Sequence, residues 1–303
     1  MHYRSIDDMN HTLAVNLSKV PAGTDLIVGV PRSGLLAANL LALHLNLPFT
    51  DVEGFMQGRI LQSGSRLKKY MKPFEEYRQV LVIEDSVWSG NSIVEVKEKL
   101  DGLYPDKDIK YTAVFIGPDA MDKVDFYFDI CPGPRMFEWN MMHHELLENC
   151  CVDIDGVLCK DPTEEQNDDG PLYEHFLSNV ETLLQPSQTI GCLVTNRLEK
   201  YRPQTEAWLA KNNVKYKKLV MLDLPNKEAR LKANNHGGFK ASVYIKNDYW
   251  LFIESSDWQA QQIANISGKA VYCVDARKMI YPNTVGQTRG RIRKLFQKAF
   301  QLF

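Results

Sequence analysis

The run from Val80 to Ile93 constrains this chain most. Four apolar residues, Val80, Leu81, Val82 and Ile83, precede the adjacent acids Glu84 and Asp85, and Ser89, Gly90, Asn91 and Ser92 follow before an apolar helical pattern opens at Ile93. A short continuous apolar run bounded by turn residues reads as a strand buried on both faces, which belongs to a parallel sheet covered by helices. In such sheets ligands gather beyond the carboxyl ends of the strands, and the free N–H groups of a following helix N-terminus attract phosphate. Glu84 and Asp85 repel an anion, so they suit donors such as sugar hydroxyls. The stretch therefore predicts a site for a phosphorylated sugar.

A second strand and turn support it. Asp25 to Gly29 leads into Pro31, Arg32, Ser33 and Gly34, and then into an apolar helix from Leu35 to Leu45. The glycines allow close backbone approach, and Arg32 offers a fork of donors to a diphosphate. Between the two motifs, residues 54–70 are rich in Gly, Ser and positive charge. They read as a mobile loop able to close over a polyphosphate, with Arg66, Lys68 or Lys69 as its cation. The acids with their Ser-Gly-Asn-Ser turn resemble the phosphoribosyl pyrophosphate (PRPP) motif of type I phosphoribosyltransferases. That resemblance implies that Glu84 and Asp85 hold the ribose hydroxyls, that Ser89, Gly90, Asn91 and Ser92 cradle the 5-phosphate, and that Pro31, Arg32, Ser33 and Gly34 form the pyrophosphate loop. Asp85, expected beside the ribose, is the candidate general base.

The chain has 303 residues, enough for two ordinary domains, and its 44% hydrophobic content supplies each with a core. A net charge of −2 argues against a nucleic-acid partner. There is no basic-then-apolar leader and no apolar run of about 18 residues. Cys131, Cys150, Cys151, Cys159, Cys192 and Cys273 lack zinc spacing, and a reducing cytoplasm is the expected location. Strand and helix patterns alternate throughout, starting with a helix over residues 3–17, which predicts an α/β protein of two Rossmann-like domains, 1–145 and 146–303. The aromatic and polar cluster Phe137 to His144 suits an interdomain contact or an acceptor site.

A second acid pair opens the second half. In Cys150 to Leu158, Asp153 and Asp155 alternate at a strand end before Gly156. One such carboxylate can attack phosphorus or hold a metal while the other moves protons. The Asp-x-Asp-Gly-x-Leu run resembles motif one of haloacid dehalogenase (HAD) superfamily phosphatases. That resemblance implies Asp153 as nucleophile, Asp155 as general acid and base, and Thr195 as the motif-two hydroxyl. It implies Lys240 as the motif-three lysine at a helix start, ahead of Lys246 and Lys232. It also implies Mg²⁺ held by Asp153, Asp155 and Glu254, with Asp257 as a further ligand. The motifs lie too close in sequence for a large cap, and an open site admits a phosphate at the end of a bulky substrate. The insert 160–169 is too polar to pack and is expected to form a flap.

At the end of the chain Ile292, Leu295, Phe296, Ala299, Phe300 and Phe303 share one helical face opposite Arg and Lys. Such a helix suits an anionic membrane surface or packing on the domain. The two resemblances together look like the bifunctional PRPP-dependent ribofuranosyltransferases of bacterial polysaccharide assembly. They imply transfer of 5-phosphoribosyl from PRPP to a lipid-linked glycan hydroxyl, then removal of the 5-phosphate, at the inner membrane face or in the cytoplasm. A nucleobase phosphoribosyltransferase joined to a nucleotidase, and a PRPP-sensing regulator, are the alternatives.

Overall fold

A computed structural model of the chain describes residues 1–61, 64–68 and 71–283, without the side chains of Ser65 and Arg66. The chain divides into two units, His2–Trp139 and the segment from Asn140 onward. The tail carrying the amphipathic helix pattern and Lys69 lie outside the described residues, and so does the Arg66 side chain. Among the described residues no helix is long and apolar enough to cross a membrane.

The first unit begins differently from the expected helix over 3–17. Strand β1 (His2–Arg4) comes first, and Ser5 then starts α1 (Ile6–Val15) through a reciprocal cap with Asp8. The Ser5 Oγ accepts from the Asp8 N–H at 3.0 Å, and the Asp8 carboxylate accepts from the Ser5 N–H at 2.8 Å, so the helix cannot begin earlier. There follow β2 (Leu26–Gly29), α2 (Gly34–Leu45), β3 (Phe49–Asp51), α3 (Val52–Met56), α4 (Ser65–Lys68), β4 (Gln79–Val87), α5 (Asn91–Leu100), β5 (Asp108–Ile116), β6 (Phe126–Ile130) and β7 (Arg135–Phe137). Strands β3-β2-β4-β5-β6 form a five-stranded parallel sheet, while β1 pairs with β7.

The apolar run of β4 is continuous because both of its faces are covered. Val80 and Val82 pack with Leu26, Val28, Ile93 and Val96 on one side. Leu81 and Ile83 pack with Ala37, Ala38 and Leu41 of α2 on the other. The strand also runs past its acids, since β5 continues alongside to place Ser86 opposite Phe115 and Val87 opposite Ile116. Glu84 and Asp85 thus lie within the strand instead of at its tip, and both carboxylates feel the charge of Arg135.

The second unit contains β8 (Cys150–Val152), α6 (Pro171–Asn179), β9 (Cys192–Leu198), α7 (Arg202–Lys211), β10 (Leu219–Leu222), α8 (Lys227–Ala233), α9 (His236–Ile245), β11 (Leu251–Glu254), α10 (Asp257–Ser267), β12 (Val271–Cys273) and β13 (Lys278–Ile280). The six strands run in the order β10-β9-β8-β11-β12-β13, parallel except for β13. The cysteines are buried free thiols that pack as small hydrophobes. The polar insert 160–169 stays largely exposed and borders the second unit's cavity through Asp161, Pro162 and Asn167, and its far end is tied down by hydrogen bonds. Asp168 caps α6 through the Tyr173 N–H at 2.9 Å, and Asp169 accepts from the Tyr201 hydroxyl at 3.0 Å and the Lys227 N–H at 2.9 Å.

Candidate active sites

In the first unit, β4 and the α5 turn bring together most of the residues expected around a phosphorylated sugar. Gly90 adopts a φ of 84°, a left-handed conformation that a side chain would strain, and precedes α5 without a side-chain cap on that helix. The free N–H groups of the first turn, with exposed Ser89, Asn91 and Ser92 around them, make the kind of helix start that attracts an anion. The turn at Pro31 and Arg32 is exposed and joined by a cis peptide. Ser33 reaches the Asp85 carboxylate while Ser92 reaches Glu84, so the starts of α2 and α5 each hold one acid.

The two acids sit in different surroundings. Burial, reinforced by the neighbouring Asp85 charge, pushes the Glu84 carboxyl up to about 7. Its Oε2 has no hydrogen-bond partner and is closed to solvent. Burial also raises Asp85, but Ser33 and Trp139 oppose the shift by donating to it. The Trp139 indole N–H lies 3.0 Å from Asp85 Oδ2. Trp139 closes an aromatic column, stacked 4.8 Å from Phe137, which is itself 5.7 Å from Phe115. The cluster expected as an interdomain contact or acceptor site therefore contributes a donor to the first site. Its ring spacing and the acid it serves are both nonlocal, so the sequence held no signal for this role.

Two outcomes follow from this geometry. In Trp139→Phe the column is retained and the donor is lost, so turnover at this site should fall about tenfold to a hundredfold, the range for a hydrogen bond to a charged group, with a drop in melting temperature because buried Asp85 loses a partner. Unchanged steady-state rates would remove Trp139 from the site. For Glu84, hydroxyl donors favour the ionised form, so PRPP binding should release a proton and tighten as pH rises toward about 7. Calorimetry in buffers of differing ionisation enthalpy reads that proton, and Glu84→Gln must abolish it if the carboxyl is its source. The sign for folding is opposite: stability from the neutral carboxyl is complete below its ordinary value of 4.5 and is lost as pH rises through about 7.

In the second unit, Asp153, Lys240 and Glu254 meet inside the protein. Lys240 Nζ lies 2.6 Å from Asp153 Oδ2 and 2.7 Å from Glu254 Oε2, with the lysine side chain 1% exposed. Lys240 stands in the interior of α9, not at its start, and reaches the acids from that helix's buried face. Burial works against its ammonium, yet the flanking Asp153 and Glu254 raise its pKa and keep it charged. Burial pushes the Asp153 carboxyl well up, and Glu254 and Asp155 add to the shift against Lys240.

Asp155 is held by a residue that the sequence analysis did not single out. Fully buried Arg197 places NH2 2.6 Å from Asp155 Oδ1 and Nε 3.1 Å from both carboxylate oxygens. Burial disfavours the guanidinium, but Asp155 raises its pKa further still. Thr195, 0% exposed, accepts the Arg197 N–H at 3.1 Å. Gly156 follows at a φ of 74°, with no room for a Cβ, which would stand 2.4 Å from Ser255 Oγ. A cavity of about 260 Å³ opens beside these groups, lined by Asp153, Asp155, Asn196, Arg230, His236 and Lys240 among others. Burial lowers the His236 pKa, as do Arg230 and Lys240, which disfavours its cation.

The acid set expected for Mg²⁺ is not assembled. Asp257 is the first residue of α10, points outward with its side chain 59% exposed, and pairs with Lys278 at 3.3 Å. Asp153 and Glu254 face the Lys240 ammonium, and Asp155 faces Arg197. Among the described residues no group of three or more His, Cys, Asp or Glu is placed to hold a metal ion. As they stand, these acids do not fit a resident Mg²⁺.

Residues 2–145 match the phosphoribosyl transferase domain family. Among solved structures, the chain is similar to the xanthine-guanine-hypoxanthine phosphoribosyltransferase of Helicobacter pylori at 20% identity, covering 46% of this chain and 91% of that one with a TM-score of 0.34. A purine phosphoribosyltransferase from Pyrococcus horikoshii gives 20% identity, 46% and 92% coverage, and a TM-score of 0.33. The UMP synthase of Leishmania donovani gives 15%, 45% and 28%, and 0.30. No curated protein matches the chain.

Proposed function

We propose, from the premise that the N-terminal half is a type I phosphoribosyltransferase domain, that the chain carries out a two-step ribofuranosyl transfer. The first unit moves 5-phosphoribosyl from PRPP, taken as its Mg²⁺ complex, to a hydroxyl of a glycan acceptor. The second hydrolyses the 5-phosphate. The observation that carries this reading is the buried Asp153–Lys240–Glu254 group beside a cavity, in a chain whose other half matches a phosphoribosyltransferase family.

In the first step the acceptor oxygen bonds to C1 of the ribose, the C1–oxygen bond to pyrophosphate breaks, and the hydroxyl proton passes to a base, for which Asp85 is the candidate. Glu84 and Asp85 accept from ribose hydroxyls, the α5 turn with Ser89, Gly90, Asn91 and Ser92 takes the 5-phosphate, and Pro31 to Gly34 face the pyrophosphate. In the second step an Asp153 oxygen bonds to phosphorus as the ester bond to the sugar breaks, and the departing oxygen takes a proton. Water then cleaves the aspartyl-phosphate, releasing inorganic phosphate and restoring the carboxylate. Lys240 balances the charge on Asp153 throughout.

Asp155 is the candidate proton carrier, and its grip by Arg197 requires that pairing to loosen when a proton is exchanged. The glycan acceptor, its lipid anchor and membrane association are read from the family resemblance. The test is pyrophosphate release on mixing native chain, Mg²⁺, PRPP and a panel of synthetic glycans and free nucleobases. Release with glycans, and a product heavier by one pentosyl group, is the expected result; release with bases alone would replace the glycan assignment by nucleoside formation.

A further inference from the structure

We propose that Arg230 is the phosphate-gripping cation of the second unit, taking an anionic oxygen of a phosphate monoester while Asn196 beside it accepts a hydroxyl from the same ligand. This rests on the phosphatase reading of the cavity and assigns its recognition wall. The argument starts from charge. Lys240 is compensated by Asp153 and Glu254, and Arg197 by Asp155. Arg230, which lines the same cavity, has no carboxylate within ion-pairing distance among the described residues. It is held in place by neutral acceptors, with NH1 3.3 Å from the Asn196 carbonyl oxygen and NH2 3.2 Å from Asn167 Oδ1. The Tyr173 hydroxyl, another neutral group of this cavity, also contacts its side chain, and Nε is left without a hydrogen-bond partner in good geometry.

A guanidinium positioned by neutral groups, with one donor unused and its charge unmatched, is arranged for an anion that comes from outside. Asp155 and Asp161 also line the cavity, the first already occupied by Arg197, and the burial and nearby cations that lower the His236 pKa disfavour a further positive charge there.

The orientation of Asn196 follows from its neighbours. An ammonium only donates, so the bond from Lys240 at 3.2 Å fixes Gln259 with Oε1 inward. Asn196 must then give its Nδ2 to that oxygen, at 3.3 Å, which turns its own Oδ1 away as an acceptor without a partner. An unfilled donor and an unfilled acceptor on one wall match a ligand with an anionic oxygen and a nearby hydroxyl, which is the chemistry of a sugar phosphate. Both atoms are closed to solvent in this structure, so the wall shifts slightly as the ligand arrives. The cavity, at about 260 Å³, lies below the range of about 300–1,000 Å³ typical of pockets for drug-sized ligands, and so admits the phosphate and its sugar while the remainder of a larger ester stays outside.

The test follows inorganic phosphate into this cavity through the ring-proton NMR signals of His236, assigned by comparison with His236→Gln. Native chain should shift those signals with a saturable affinity that weakens about tenfold to a hundredfold in Arg230→Met and recovers partly in Arg230→Lys. Melting curves of both variants guard against a folding defect. In competition against phosphate, ribose 5-phosphate should bind about tenfold better than methyl phosphate, and Asn196→Leu should bring the ratio toward one. No shift of His236 in the native chain, or equal affinity in Arg230→Met, overturns the assignment. Arg230-dependent binding in a chain that cleaves no phosphate ester would sink the phosphatase reading and leave the assignment in place.

Discussion

Replacing Asp153 by Asn is expected to stop the reaction halfway, so that a product still bearing its 5-phosphate accumulates. An amide has nearly the shape of the carboxylate and keeps an oxygen for Lys240, so the fold should persist. It cannot displace the sugar oxygen from phosphorus, because its oxygen carries no full negative charge and its nitrogen lone pair is delocalised into the carbonyl. Loss of a nucleophile of this kind lowers turnover by on the order of 10³-fold or more. Pyrophosphate release, assigned to the other unit, should continue at the native rate. Mass spectrometry of the glycan product then finds a species heavier by one phosphate group. Phosphate release from Asp153→Asn at the native rate would end the assignment of Asp153 as nucleophile.

Lys240→Met should produce the largest loss of stability in the second unit. The native lysine sits between Asp153 and Glu254, side chains that are at most 6% exposed. Methionine fills most of the volume but leaves two carboxylates in a dry interior with no cation, and breaking a buried pair in this way costs about 3–5 kcal/mol. At about 2–4 °C per kcal/mol, the melting transition of this unit should fall by roughly 10 °C. The pH dependence identifies the cause. Without Lys240 the Asp153 carboxyl, already pushed up by burial, favours its neutral form still more, so the variant regains stability as pH falls and its protonation removes the repulsion. Melting curves at pH 5 and pH 8 that show the same loss at both would mean that packing, not charge, is responsible.

How much of this was legible beforehand varies with how local each signal is. The β4 run and the turn before α5 are written in consecutive residues, Val80 to Ile83 and Gly90 to Ser92, so strand, turn and helix could be read directly. Asp153 and Asp155 are equally local. The length of β4 was not, because it depends on β5 running beside it to Ile116.

Lys240 was found, yet its position inside α9 depends on where Asn235 starts that helix. Asp257 failed for a similar reason: Ser256 accepts the Gln259 N–H and begins α10, which turns the next side chain outward. Arg197 left a trace, since an arginine between Asn196 and Leu198 in an otherwise buried strand requires a counter-ion. Arg230 left none. In Lys227–Ala233 it looks like one more solvated charge, and only the tertiary fold shows it without a counter-ion.

Trp139 also limits how the protein may be cut apart for study. It is the final residue of the first unit, and its indole serves Asp85 from the end of the aromatic column. A truncated gene product that stops after β6 would lose the partner of β1 as well as that indole, and one that stops after Phe137 would keep the pairing but not the donor. Dissection of the N-terminal activity therefore has a minimum length, set at Trp139 by the chemistry of one side chain.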